Sequence, residues 1–256
     1  MDVRDTGGDG WSVEPMLWFT HRPPVLQLGR EATKTTTDPV TGEITQGQTE
    51  PGNLNFTGQG SYAEGFVVTV PTLHENSLQL SGFRLDGKGT QTESENLILF
   101  GNNYAQGDFL ITTYRVQSLK LSWNYLSYPY PSRGAKFRVK TLWEVQFAGV
   151  STVINAPNDT ATIPTAGNKD VIFPTFGLGL EYHPSKSLRL EMKGSGFGLP
   201  HRADIWDVEA SAVLKLGSFE AFAGGKGYHF KTSPQANQYF TDTLWGPYVG
   251  VRWIFR

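Results

Sequence analysis

Five histidines and no cysteine limit the side-chain chemistry open to this chain of 256 residues. Without a thiol there is no Cys nucleophile, no thiolate zinc site and no disulfide framework. One stretch gathers the residue types of acid–base work. His201, Arg202, Asp204 and Asp207 surround a tight loop at 199–203, His229 sits near the top of the next extended segment, and Asp242 lies in the last loop. A histidine beside a carboxylate can activate water or a hydroxyl. His201, Asp204, Asp207 and His229 are therefore the candidate catalytic residues, although they match no Ser-His-Asp order and no two-His ligand spacing. His21 and His74 read as loop residues, and His183 adjoins a short turn. The carboxylates are scattered, so neither a metal nor a cofactor is expected. Polar loops carry such residues by chance, and their meaning depends on the elements that hold them.

Those elements are extended, with a period of two. From Lys136 to Val153 one parity carries Phe137, Val139, Trp143, Val145 and Phe147, and the other carries Lys136, Arg138, Lys140, Glu144 and Gln146. Successive strand side chains point to opposite faces, so this segment has an oily face and an ionic face. The pattern recurs around Leu119–Tyr125, Ile172–Tyr182, Leu188–Met192, Trp206–Leu216, Phe219–Ala223 and Trp245–Phe255. Earlier candidates at 11–20, 62–71 and 77–86 are less regular. The third switches parity near Gly82 and Phe83, where a bulge would account for it. Ten strands are expected, at about 11–20, 62–71, 77–86, 113–128, 136–154, 170–183, 187–199, 203–216, 218–231 and 243–255. Counting Asn96–Phe100 with Phe109–Ile111 as a hairpin would give twelve, and misreading the first strands would leave eight.

The connections alternate in length. Short turns lie at Leu73–Asn76, Pro129–Ala135, Pro184–Ser187 and Gly217–Ser218, and long polar segments lie at 21–61, 87–112, 155–169 and 232–242. The stretch 30–60 has almost no large apolar residue and reads as a mobile or binding loop. No run approaches the length of a transmembrane helix. The N-terminus, MDVRDTGGDGW, has no apolar centre, so the chain is either cytoplasmic or a mature exported chain whose leader has given way to a start Met. Residues 1–10 are expected to be a flexible tail and 11–256 a single domain. Twenty-two Lys and Arg against 24 Asp and Glu give a net charge of -2, which removes the case for a nucleic-acid partner.

Alternation does not decide which face is inside: a soluble ligand-binding barrel turns the oily parity inward, a membrane barrel outward. Three features favour outward. The best strands exceed what a small soluble barrel needs. Aromatics (Trp206, Phe219, Trp245, Trp253, Phe255) sit near strand ends on the oily parity, as at membrane interfaces. The C-terminal Gly250, Trp253 and Phe255 resemble the β-signal of bacterial outer-membrane proteins, with Arg256 as one extra residue after the aromatic. The resemblance implies an all-β, antiparallel up-and-down transmembrane β-barrel in the outer membrane of a Gram-negative cell, with short periplasmic turns and long extracellular loops. It also implies the lipid bilayer, lipopolysaccharide and the barrel-assembly machinery as partners.

On that orientation the lumen carries Arg138, Lys140, Glu144, Glu181, Arg189, Glu191, Lys193, Asp207, Glu209, Lys215, Glu220, Lys226 and Arg252. Both signs are interleaved, so a salt-bridged filling is expected, with a narrow porin-like path as the alternative. The function read from the sequence is a structural barrel or a passive route for small solutes, with surface loops free for contacts. Small barrels of the resembled family include omptin-like proteases and lipid A deacylases or acyltransferases. The resemblance therefore also admits a rim hydrolase acting on lipid or peptide. A soluble ligand-binding barrel remains a third reading.

Overall fold

The computed structural model describes residues 10–21, 25–27, 33–49, 53–55, 61–93, 97–100, 102–129, 134–158, 164–200, 202–233 and 239–255. β1 (Ser12–Phe19) is followed by a long connection that holds β2 (Val25–Gln27), β3 (Thr33–Thr37), β4 (Ile44–Thr49) and β5 (Asn53–Asn55). β6 (Tyr62–Pro71) and β7 (Ser77–Thr92) form a hairpin around the 3-10 turn Leu73–Glu75, and β8 (Leu97–Leu99) and β9 (Asn102–Tyr104) come next. The rest is β10 (Phe109–Tyr128), β11 (Phe137–Asn155), β12 (Thr165–Tyr182), β13 (Leu188–Leu199), β14 (Ala203–Leu216), β15 (Phe219–Lys231) and β16 (Thr241–Ile254). No α-helix occurs among the described residues.

Ten strands close into an all-antiparallel barrel in the order β1-β6-β7-β10-β11-β12-β13-β14-β15-β16, with β16 returning to β1. Leu97–Leu99 does not enter the wall. It pairs with β9 in a small separate ladder, and Phe109–Ile111 is the start of β10, so the twelve-strand alternative fails. The first long connection, where 30–60 reads as a mobile or binding loop, carries local pairing of its own. It contains two further ladders, β2 with β5 and β3 with β4. Residues 1–9, most of the expected tail, lie outside the described residues.

The switch of parity at Gly82 and Phe83 is not a bulge. Both flanking ladders run through it in unbroken register, Gly82 opposite Leu119 and Phe66, and Phe83 opposite Ser118 and Gly65. Chemistry changes there instead. Leu78 and Leu80 are exposed, whereas Phe83 and Leu85 are buried and Arg84 faces outward. β10 does the same. Leu119, Leu121, Trp123 and Tyr125 are exposed below, Leu110, Tyr114 and Val116 are buried above, and Arg115 is on the outside. On these two strands the half near the short turns is oily outside and polar inside, and towards the long loops both polarities invert. This inversion made the upper ends of β7 and β10 hard to recognise as strand.

Candidate functional site

The short-turn half of the tube is filled by three groups of ion pairs. In the first, Arg252 Nε lies 2.7 Å from Glu14 while its Nη1 lies 3.1 Å from Glu191 and 2.9 Å from Glu220. Arg189 grips the last two carboxylates from the other side, at 2.5 and 2.6 Å. In the second, Lys226 bridges Asp207 at 2.8 Å and Glu209 at 3.2 Å, and Lys193 is 3.7 Å from Glu209. Lys120 of β10 reaches Asp207 of β14 and Glu144 of β11, each at 3.5 Å. The β10 and β14 strands are not neighbours, so this contact crosses the lumen. In the third, Glu181 accepts from Arg138 at 2.9 Å and pairs with Lys140 at 2.7 Å, with Glu75 3.8 Å from Arg138. Desolvating unpaired charges would cost several kcal/mol each, so a filling of this kind requires partners of both signs.

Each residue of the expected lumen network thus takes part, except Lys215, which is exposed at the short-turn end. The sequence reading missed Glu14, Glu75 and Lys120. Lys120 was legible as the ionic parity of its strand, while Glu14 sits on a strand whose upper neighbours, Met16 and Trp18, are also buried and blur the alternation.

Above the ions the tube is packed with aromatic and aliphatic side chains. Phe83 lies between Trp18 and Tyr228 in two edge-to-face contacts, with ring centroids at 5.2 and 4.9 Å. Leu85, Leu110, Ile205, Phe230, Phe240 and Leu244 join the same cluster. Between plug and ions lies a small cavity lined by Phe83, Lys120, Glu144 and Asp207 among others.

The candidate catalytic residues do not form one group. Asp207 is inside the tube, bound to Lys226 and Lys120. Asp242 is buried at the long-loop end, and His201 lies outside the described residues. Asp204 and His229 do meet, on the outer wall, with His229 Nε2 2.8 Å from Asp204 Oδ1. The other ring nitrogen, Nδ1, lies 2.7 Å from Thr243 Oγ1. If Nε2–H donates to Asp204, Nδ1 is the acceptor for the threonine hydroxyl. Trp206 stacks on the imidazole with centroids 5.4 Å apart and planes 14° off parallel, fixing its orientation. The alignment follows from the β14–β15–β16 register, in which Trp206 lies opposite His229 and His229 opposite Thr243. Thr243 escaped the sequence reading because only the register brings it to the histidine.

His21 stands over Trp245 at 4.6 Å, and His183 Nε2 is 3.7 Å from Glu181. Among the described residues no group of three His, Asp or Glu side chains is placed to hold a metal. Of the C-terminal residues, Trp253 and Phe255 are exposed on the outer wall, and Trp253 stacks on Phe219 at 5.6 Å. Gly250 has a packing role, because a Cβ there would lie 2.4 Å from the Phe222 ring and 2.6 Å from the Pro15 carbonyl oxygen.

No family model and no curated protein matches the sequence. Among solved structures the chain is similar to the outer membrane protease OmpT from Escherichia coli, with a TM-score of 0.57 at 10% identity over 97% of this chain and 98% of that one. The fold is that of an outer-membrane β-barrel. A Pseudomonas aeruginosa FadL homologue overlaps far more loosely, with a TM-score of 0.29 at 7% identity over 97% and 91% of the two chains, and that overlap assigns nothing.

Proposed function

We propose that the protein is an integral barrel of a bacterial outer membrane that does not conduct, a closed scaffold holding its long loops at the cell surface. One observation carries the reading: ion pairs reach across the lumen in one half, and an aromatic cluster packs it in the other. The address rests on the outer wall, where Leu121, Trp123, Trp143, Val145, Phe176, Leu178, Val249 and Trp253 are all exposed. A continuous oily belt of this kind suits hydrocarbon and is far larger than the apolar patches of soluble monomers. A soluble ligand carrier would bury that belt, and a porin would leave its lumen open. On this placement the short turns face the periplasm, and Gly250, Trp253 and Phe255 present the strand that assembly machinery reads.

Asp207, one of the candidate catalytic residues, is held inside the tube by Lys226 and Lys120. Planar-bilayer recording tests the scaffold reading. The full chain is expected to insert without discrete conductance steps in any salt, and regular steps from the folded protein would overturn it.

A further inference from the structure

Asp204, His229 and Thr243 have no role in a passive scaffold. All three face outward, in the first polar row above the oily belt. Trp206 and Trp245 are the next outward residues below Asp204 and Thr243, and both are exposed. Below His229 the wall is hollow. Gly227, Gly225 and Ala210 floor an open, almost wholly apolar groove of about 700 Å³, flanked by Val208 and Met192 on one side and by Trp245 and Pro247 on the other. It adjoins a second hollow along Ala210, Ala212 and Ala223. From His229 to Ala223 is about 20 Å of strand, somewhat more than half of a hydrocarbon core about 30 Å thick.

We infer that Asp204, His229 and Thr243 form a hydrolytic site on the outer wall that cleaves the ester bond of a membrane lipid, whose acyl chain lies in the groove beneath them. This activity goes beyond the scaffold reading but shares its membrane placement. Thr243 Oγ1 bonds to the ester carbonyl carbon as its proton passes to His229 Nδ1. The tetrahedral adduct collapses, the bond from acyl carbon to alkoxy oxygen breaks, and the alcohol leaves with that proton. Water then attacks the acyl-threonine, giving one proton to His229, which returns it to Thr243 Oγ1 as the fatty acid departs. Asp204 is the positioning residue, holding the imidazole tautomer and facing the imidazolium that forms. Lys231, the next outward residue along β15 and the register partner of Asp204, is the cation on that face available to the oxyanion. A polar group at the interface above an oily slot matches a lipid ester, whose carbonyl lies at the same boundary.

The test reconstitutes the full chain in two kinds of vesicle, one of phosphatidylethanolamine and phosphatidylglycerol and one also containing lipopolysaccharide, and measures free fatty acid by mass spectrometry. Release from the first identifies a glycerophospholipid ester, and release only from the second identifies an acyl ester of lipopolysaccharide. His229→Ala and Thr243→Ala should each lower release about 100-fold or more, the usual scale for a general base, while Thr243→Ser keeps it. Asp204→Asn should lower kcat about 100-fold with KM unchanged and displace the pH profile. Gly225→Leu fills the groove at a position where a Cβ meets no atom within 4 Å, so it should fold normally and abolish release of long chains. No release from either vesicle by folded protein would overturn the proposal, as would release undiminished in His229→Ala or Thr243→Ala. Absence of conductance bears on the scaffold reading alone, so the two can fail separately.

Discussion

The two halves of the tube fill the same lumen in opposite ways. Near the short turns, Arg252, Glu191, Lys226 and Asp207 fill it with charge, and near the long loops Trp18, Phe83, Leu85 and Tyr228 fill it with rings and methyls. The backbone is the same antiparallel ladder in both. What differs is the medium proposed for the outer face. Where the outside must be oily, the other parity is left for polar side chains, which then satisfy one another across the lumen. Where the outside turns polar, as at Arg84, Asp86 and Arg115, the inner parity is free to build an ordinary apolar core.

The contrast can be broken at the ionic half first. Arg252→Ala leaves Glu14, Glu191 and Glu220 without their shared cation and should cost about 3–5 kcal/mol, read from urea unfolding in lipid vesicles. In the plug, Leu85→Ala, at a fully buried site, should cost about 3 kcal/mol by the same measurement. A charge on the outer wall sharpens the boundary. Leu121→Arg should destabilise by about 2–4 kcal/mol, whereas Thr113→Arg, eight residues up the same strand on the same face, should change little. Equal effects would erase the distinction between the two outer zones. Gly250→Ala, which brings a Cβ against Phe222 and the Pro15 carbonyl, should cost about 1–3 kcal/mol.

The smallest effect belongs to the long-loop end. Burial pushes the Glu93 carboxyl up to about 7, with the like charge of Asp108 adding and a hydrogen bond from Gln91 opposing. Its folded value is above the ordinary one of 4.5, so the stabilisation is complete below about pH 4.5 and is lost as pH rises through about 7. The amides of Glu93 and Gly107, which bond to Asp108 and Glu93, should exchange relatively faster at pH 7.5 than at 4.5 after correction for intrinsic rates. Glu93→Gln should flatten that difference.

The same inversion explains what the sequence disclosed. All ten wall strands were legible, because oily and polar residues alternate along most of their length, with few breaks such as Thr141 and Leu142 in the run from Phe137 to Phe147. The upper ends of β7, β10 and β12 were not, and in β7 and β10 Phe83, Leu85, Leu110 and Tyr114 place apolar residues on the parity that polar side chains occupy below. The lumen network was largely visible as parity, although the pairs depend on contacts across the tube, such as Lys120 with Asp207. Of the candidate site, Asp204 and His229 were named but grouped with Asp207, three residues from Asp204 in sequence and on the opposite face of the wall. Strand parity puts Asp207 on the lumen side while the loop grouping keeps it with Asp204, and spacing along the chain cannot see Thr243, two strands from Asp204, at all.

Arg252 lies four residues from the C-terminus and gathers carboxylates from the first strand, from β13 and from β15. An open, half-rolled sheet cannot supply Glu14 to it, because β1 and β16 become neighbours only when the ring is shut. Completing this clasp and completing the circumference are therefore a single event, and a wall that stalls before β1 meets β16 leaves Arg252 at its free edge without the Glu14 carboxylate.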